Sequence, residues 1–209
     1  MEGTASVSVD AGEPEPRGVG AVEPRDLRFA LRAATDAAHR RLDAGFAAHD
    51  LSRRADYVRF LSAMRDPFAQ IETWLDESDA ADLPPDWTAR RRSLLLQADL
   101  SGLAISAPEV APAPLPRTLS GAEAPGLLYV LEGSRLGGQV LLRQVLASPD
   151  PLVRGNARFL RHGEGLRLWP SFATWLGTRP AADHADAIRG AQRAFALFEA
   201  AQARGSGLS

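Results

Sequence analysis

The spacing of apolar residues constrains this chain more than any other feature. From residue 26 onward, apolar side chains recur three and four positions apart, which is the period of an amphipathic helix, and no segments pair through hairpin turns. Proline-rich stretches at 82–87 and 106–126 interrupt the pattern, because proline lacks the amide proton that a helix interior needs. The sequence therefore predicts an all-α fold with helices at 27–45, 55–76, 90–100, 125–147, 154–162, 169–177 and 182–203.

The length and the distribution of charge predict one domain and two flanking segments. With 209 residues, of which 45% are hydrophobic, the chain can bury a sizeable core. Residues 1–25 hold five acids and two arginines, a charge of −3, which leaves +1 on the rest of a chain of net charge −2. We expect a disordered acidic N-terminal tail at 1–25, a helical domain at 26–203 and a short flexible C-terminus at 204–209.

Composition excludes several classes of function. The 24 basic residues, all arginines, are balanced by 26 acids, which argues against a nucleic-acid-binding protein. Because the chain has no Cys, it cannot form disulfides, cysteine-ligated zinc sites, iron–sulfur clusters or a cysteine nucleophile. No apolar run approaches the roughly 20 residues that span a bilayer, and residues 1–25 lack a secretory signal, so we expect a cytoplasmic protein without membrane association.

The predicted helix at 27–45 contains a histidine in an unusual setting. His39 borders the apolar face, with Thr35 one turn earlier and Asp43 one turn later, within reach of the second imidazole nitrogen. Arg32 lies on nearly the same face, about 10 Å along the axis. This combination suits a large metal-bearing ligand with an acidic edge, whereas a half-buried histidine paired with a carboxylate is the alternative. The core stripe of this helix is predicted to be Leu31, Ala34, Ala38 and Leu42.

The predicted helix at 125–147 contains glycines where a helix would ordinarily exclude them. Gly133 and Gly137 form one column of the helix, and Ser134 and Gly138 form the adjacent column. Each interior glycine costs roughly 1 kcal/mol relative to alanine, so the three together give up about 3 kcal/mol of helix stability. Close packing against another helix is one explanation of this side-chain-poor strip, and a backbone floor beneath a planar ligand is the other.

These two segments together resemble haem oxygenases. The register Leu-Arg-x-x-Thr-x-x-x-His at 31–39 resembles the proximal helix of that family. The segment Tyr-Val-Leu-Glu-Gly-Ser-Arg-Leu-Gly-Gly-Gln-Val-Leu at 129–141 looks like its distal helix, particularly in haem oxygenases associated with bacteriophytochromes. The two motifs stand in the expected order, and the resemblance covers about residues 26–203.

The resemblance implies a single-domain helical fold that holds haem in a slot between the proximal and distal helices. His39 matches the iron ligand, Asp43 its acidic support and Arg32 a propionate contact. Residues matching the haem contacts or the oxygen side are Thr35, Gly133, Ser134, Gly137, Gly138 and, more weakly, Phe195. Of these, Gly133, Ser134 and Gly137 match the positions that take part in catalysis.

The chain departs from the family pattern at two places. Many haem oxygenases carry an Asp directly after the first distal glycine, where it organises water, and this chain has Ser134, whose hydroxyl can donate to and hold water but carries no charge. The further basic propionate contacts of the family find no cation at 169–177, where Arg167 or Arg179 are the candidates to replace them.

The expected activity is oxidative cleavage of haem to biliverdin, carbon monoxide and ferrous iron. Haem would be both prosthetic group and substrate, used with molecular oxygen and electrons from an external donor such as a ferredoxin or a flavoprotein reductase. A bacteriophytochrome is the implied recipient of biliverdin. Two alternatives remain open on sequence grounds: a haem-binding or haem-transfer protein of the same fold without turnover, motivated by Ser134, and a helical interaction module whose glycine strip packs on a partner.

Overall fold

The computed structural model describes residues 26–47, 49–78, 82–104, 115 and 119–206. Within these residues the regular structure is helical and contains no strand. The predicted tail at 1–25 lies outside the described residues. The helices are α1 (Leu27–Ala47), α2 (Arg54–Glu77), α3 (Trp87–Arg90), α4 (Ser93–Gly102), α5 (Ala124–Leu146), α6 (Pro151–Gly155), α7 (Arg158–Arg161), α8 (Leu168–Leu176) and α9 (His184–Ser206), with short 3-10 turns at Gly121–Glu123 and Ala181–Asp183.

Helix α9 forms the centre of the domain. It packs against α1, α2 and α5, while α4 packs on the far side of α2 and α7 lies between α4 and α5. Its buried face consists of small and aromatic residues, among them Ala187, Ala191, Phe195 and Phe198. Helices α1 and α5 both pack against α9 and face each other across a gap instead of packing together. None of the described helices is long and apolar enough to cross a bilayer.

Two glycines allow α5 and α9 to cross at backbone distance. A Cβ placed on Gly126 would lie 1.7 Å from the carbonyl oxygen of Ala187, and one on Gly190 would lie 2.1 Å from that of Glu123. Side chains at these positions would force the two helices apart. The crossing fixes the N-terminal half of α5, which begins with Pro125 in its first turn, where a missing amide proton costs nothing.

Several helix boundaries differ from the prediction. The single helix predicted at 90–100 is divided because the carboxylate of Glu72 accepts the backbone N–H groups of Arg92 and Ser93 and so starts α4 there. The helix predicted at 154–162 is divided at Asn156, whose φ of −120° and ψ of 65° are not helical. Residues 204–206, assigned above to a flexible C-terminus, belong to the last turn of α9.

The buried face of α1 follows the predicted stripe except at Ala34, because Leu31 is buried and Ala38 and Leu42 are half-buried against the core. Leu27, Leu31 and Thr35 are its buried residues, whereas Ala34 is exposed. Thr35 takes the place of Ala34 because α1 packs on α9 along one side and borders the gap to α5 along another. Thr35 tolerates burial because its hydroxyl donates a hydrogen bond to the carbonyl oxygen of Leu31, 2.8 Å away.

Candidate haem site

The gap between α1 and α5 is a cavity of about 680 Å³. This volume lies within the roughly 300–1,000 Å³ typical of small-molecule and cofactor sites. Helix α2 contributes Phe60 and Met64 to its lining, and α9 contributes Phe198. All nine residues singled out from the sequence line this one cavity: Arg32, Thr35, His39, Asp43, Gly133, Ser134, Gly137, Gly138 and Phe195.

On the α1 wall, His39 presents one ring nitrogen to the cavity. Its Nδ1 lies 3.0 Å from Oδ2 of Asp43, one turn along the helix, so Nε2 is the nitrogen left available to a metal. The imidazole side chain is 62% exposed and therefore accessible from the cavity. Phe195 of α9 contacts the ring edge-on, with centroids 6.0 Å apart, and restricts its orientation.

One end of the cavity is cationic. Arg28 and Arg32 lie one turn apart on α1, and within the described chain neither has a carboxylate at ion-pair distance. Both lie near the phenol of Tyr129 in α5. Burial raises the pKa of that phenol, and the positive charges of Arg32 and Arg28 offset part of the rise. Arg28 was missed at the sequence level, although its position four residues before Arg32 places it on the same face.

The basic residues proposed as substitutes do not take part. Neither Arg167 nor Arg179 lines the cavity. Arg179 forms an ion pair with Asp82, and its guanidinium lies 4.4 Å above the ring of Trp175. The expectation that one of these arginines reaches the cavity is therefore wrong, because the cationic end is built from the first turns of α1 instead.

On the α5 wall, the glycine strip faces open space. A Cβ on Gly137 would meet nothing within 4 Å, and one on Gly133 would meet only a ring atom of Trp169, at 3.9 Å. A Cβ on Gly138 would meet the end of the Leu160 side chain at 3.6 Å. Among the described residues, the strip glycines meet only these two side chains, from α8 and α7, and no helix backbone, so close packing between helix backbones does not explain Gly133 and Gly137.

The hydroxyl of Ser134 is already engaged. It donates to the carbonyl oxygen of Leu131 at 2.7 Å and accepts from Nη2 of Arg92 at 2.8 Å. Because a hydroxyl has a single proton, Ser134 can accept a hydrogen bond from water in this arrangement but cannot donate one. The expectation that Ser134 donates to a water in the cavity is thus wrong for this geometry.

The arginine that engages Ser134 was not recognisable from the sequence. Arg92 precedes α4 and lies against the rings of Phe68 and Phe159, which contact each other, with its guanidinium carbon 4.7 and 4.9 Å from their centroids. Burial, with the nearby charge of Arg135, lowers its pKa to about 9. Its partner lies 42 residues away along the chain, so no local pattern could reveal the contact.

The chain is similar to known haem oxygenases in sequence and in fold. It is 39% identical over 123 residues to a haem oxygenase of Xanthomonas campestris pv. campestris (strain 8004), covering 56% of this chain and 73% of that one. It is 31% identical over 149 residues to haem oxygenase PigA of Pseudomonas aeruginosa, covering 70% of this chain and 75% of that one. The NO- and CO-bound haem oxygenase of Neisseria meningitidis superposes with a TM-score of 0.70 at 22% identity, over 88% of this chain and 94% of that structure, which confirms the predicted helical fold. A scan against protein-family models found no match.

Proposed function

The chain belongs to the haem oxygenase family, and from this premise we propose that it degrades haem bound in the cavity between α1 and α5. The observation that carries the proposal is the pairing of its two walls. His39 of α1 offers an uncommitted Nε2, and α5 offers a strip in which Gly137 has no neighbour within 4 Å and Gly133 meets only one ring atom, at 3.9 Å. A planar metal-bearing ligand would fill the space that the missing side chains leave.

The polarity of the cavity matches the polarity of haem. Arg28 and Arg32 provide positive charge for two propionates at one end. Leu42 lies ten residues after Arg32, about 15 Å along the axis of α1, and is followed by Phe46. These apolar side chains suit the hydrocarbon edge of the macrocycle.

Asp43 would prepare His39 for its role as the iron ligand. A carboxylate 3.0 Å from Nδ1 holds the proton on that nitrogen, so that Nε2 keeps its lone pair for the metal. The same contact makes the imidazole a stronger donor and fixes its rotation. Phe195 limits the remaining motion of the ring.

Bound haem supplies the redox chemistry, with molecular oxygen and external electrons, and is itself consumed to give biliverdin, carbon monoxide and ferrous iron. The contribution of the chain is geometric. Gly133 and Gly137 would let a bound macrocycle lie close to the backbone of α5, which would leave little room on that side. Ser134 can accept a hydrogen bond from water there, and Phe198 helps to exclude bulk water from the inner side of the cavity.

The partners of the reaction follow from the resemblance alone. We expect an external electron donor such as a ferredoxin or a flavoprotein reductase, and a bacteriophytochrome as the recipient of biliverdin. A cytoplasmic setting would provide both. Arg40 and Arg41, on the same helix as His39, are exposed but paired with Asp36 at 3.0 Å and with Glu199 at 2.9 Å, so an acidic donor would have to displace these surface pairs.

The test begins with hemin added to the purified chain. We expect a saturable complex with the Soret band of a histidine-ligated haem, and a bilin spectrum after ascorbate and oxygen are added in the presence of catalase. His39→Ala should weaken hemin binding by at least the roughly 10–100-fold that loss of a supporting partner costs at a metal site. His49→Ala is the matched control, because His49 bonds the carbonyl oxygen of Gly45 outside the cavity.

Two outcomes would contradict the proposal. A His39→Ala protein with the wild-type spectrum and affinity would remove the ligand assignment. Loss of the Soret band without any bilin would favour a haem-binding protein that does not turn over.

A further inference from the structure

We propose that a buried ionic cluster behind α5 fixes the distance between the glycine strip and His39, and thereby sets the width of the slot. The cluster consists of the carboxylate of Glu132 held between the guanidinium groups of Arg90 and Arg135. Its significance for haem rests on the proposed function, whereas its effect on α5 does not. Residues that do not line the cavity thereby take on positioning roles.

The cluster lies opposite the strip. At 100° per residue, Glu132 and Arg135 point roughly 130–170° away from the centre of the strip that includes Gly133 and Gly137. Glu132 and Arg135 both lie within two positions of Gly133 in the sequence. Any movement of the strip must therefore move their side chains as well.

The contacts of the cluster are short and shielded from water. Nη1 of Arg90 lies 2.6 Å from Oε2 of Glu132, and Arg135 binds the same carboxylate through Nη2 at 2.8 Å and Nε at 3.0 Å. The Glu132 side chain is 1% exposed and that of Arg90 is fully buried. Arg135 holds Glu132 with a bidentate fork, whereas Arg90 adds one N–H and is itself held by the carboxylate of Asp86 through Nε at 2.6 Å and Nη2 at 2.8 Å. In buried surroundings this arrangement restricts the position of the Glu132 carboxylate far more than a surface pair would.

The cluster is anchored in other elements. Arg90, at the end of α3, also donates to the carbonyl oxygen of Leu168 at 3.0 Å and to Oγ of Ser171 at 2.7 Å, both in α8. Arg135 donates to the carbonyl oxygen of Arg90 at 2.7 Å and contacts Nδ1 of His162 at 2.8 Å. Helix α5 is thus tied at one point to α3, to α8 and to the connection between α7 and α8.

The strip needs such a restraint because ordinary packing is missing there. The N-terminal half of α5 is located by its crossing with α9, while the strip itself has almost no side chains to interlock with a neighbour. A buried ionic cluster contributes little net stability, since desolvation offsets its attraction, but it can specify one geometry. For the strip, that geometry is the distance to the opposite wall.

Amide hydrogen exchange of the haem-free chain directly tests whether the ionic cluster restrains the glycine strip of α5. In Arg135→Met we expect the amides of 133–138 to exchange about tenfold faster than in the wild type, relative to reference amides in α2. Arg193→Met is the matched control, because Arg193 also holds a buried carboxylate at α5, that of Glu123, but near its N-terminal end. This control should leave the strip unchanged. If Arg135→Met fails to fold, Arg135→Lys keeps the charge without the fork and should give a smaller increase.

Hemin titration of the same variants tests the link to the slot. We expect Arg135→Met to bind hemin about tenfold more weakly and Arg193→Met to bind within about twofold of the wild type. If the amides of 133–138 exchanged equally fast in Arg135→Met and Arg193→Met, the proposed restraint of α5 by the ionic cluster would be overturned. Faster exchange with unchanged hemin affinity would overturn its role in setting the slot, whereas failure of the wild type to bind hemin would count against the proposed function instead.

Discussion

The two halves of α5 both contain glycine, for opposite reasons. In the N-terminal half, Gly126 lies against the backbone of α9, and a Cβ there would be 1.7 Å from the carbonyl oxygen of Ala187 and 2.6 Å from the nitrogen of Ala191. In the C-terminal half, a Cβ on Gly137 would meet nothing within 4 Å. The same residue type allows contact within the protein in one half and reserves space in the other.

This difference shows how a glycine-rich helix is to be interpreted. A glycine with a neighbour at backbone distance is explained by packing, which stabilises the fold. A glycine without a neighbour sacrifices roughly 1 kcal/mol of helix stability for no contact within the chain. At Gly133 and Gly137 no contact within the chain offsets this loss of helix stability, and a ligand that occupies the space would offset it.

Alanine at the two positions should give the largest contrast. We expect Gly126→Ala to lower the free energy of unfolding by about 3 kcal/mol or more, because the new methyl group meets backbone on α9. We expect Gly137→Ala to raise it by up to about 1 kcal/mol, because only helix propensity changes. Urea denaturation of the haem-free proteins measures both, and equal destabilisation by the two substitutions would break the comparison.

A larger side chain at the open glycine should separate stability from binding. Gly137→Leu should fold at least as stably as the wild type, because the space beside the residue is open, and yet bind hemin at least about tenfold more weakly. Hemin titration alongside urea denaturation measures the two quantities. Wild-type hemin affinity in this variant would mean that the strip does not face the ligand.

The cationic end of the cavity should respond more moderately. Arg28→Gln and Arg32→Gln should each weaken hemin binding by about 1 kcal/mol, roughly fivefold, and the difference should shrink at high salt. Arg167→Gln is the control, since Arg167 lies outside the cavity. If Arg167→Gln weakened hemin binding more than Arg28→Gln, the propionates of the ligand would lie elsewhere.

The smallest expected effect is a pH dependence of the free energy of unfolding that comes from His162, which contacts Arg135 of the ionic cluster. Burial, with the charges of Arg135 and Arg92, lowers the pKa of His162 from 6.5 to about 4. Between these values the unfolded chain binds a proton that the folded chain does not, so the free energy of unfolding falls as the pH falls from about 6.5 towards 4. Because the imidazole is only half-buried and solvent screens its charge, the total loss over this range should stay below about 1 kcal/mol.

His162→Gln removes this contribution and keeps an acceptor for Arg135. The difference in unfolding free energy between wild type and variant should therefore change between pH 7 and pH 5. Parallel curves over that range would show that His162 is not held neutral by its surroundings.

The sequence was informative wherever function depended on local spacing. The separation of four residues between His39 and Asp43 predicts their contact, and the glycine columns predict the bare strip. The all-α fold followed from helical periodicity because the chain has no competing strand pattern. These features depend on residues within one or two helical turns.

The rest of the site depends on contacts between distant segments. Arg92 reaches Ser134 across 42 residues, and Arg90 reaches Glu132 across 42. A buried arginine looks the same in sequence as an exposed one until its partner is known. The replacement of Ala34 by Thr35 in the buried face of α1 has a related cause, because α9 and the cavity, rather than periodicity alone, decide which side of that helix is covered.

The most direct test of the account is the position of iron in a crystal of the hemin complex, located by its anomalous scattering. The account predicts a single iron atom bonded to Nε2 of His39, with the macrocycle lying along the backbone of Gly133 and Gly137 and its propionates near Arg28 and Arg32. An iron atom bound elsewhere, or a macrocycle that leaves the glycine strip uncovered, would contradict it.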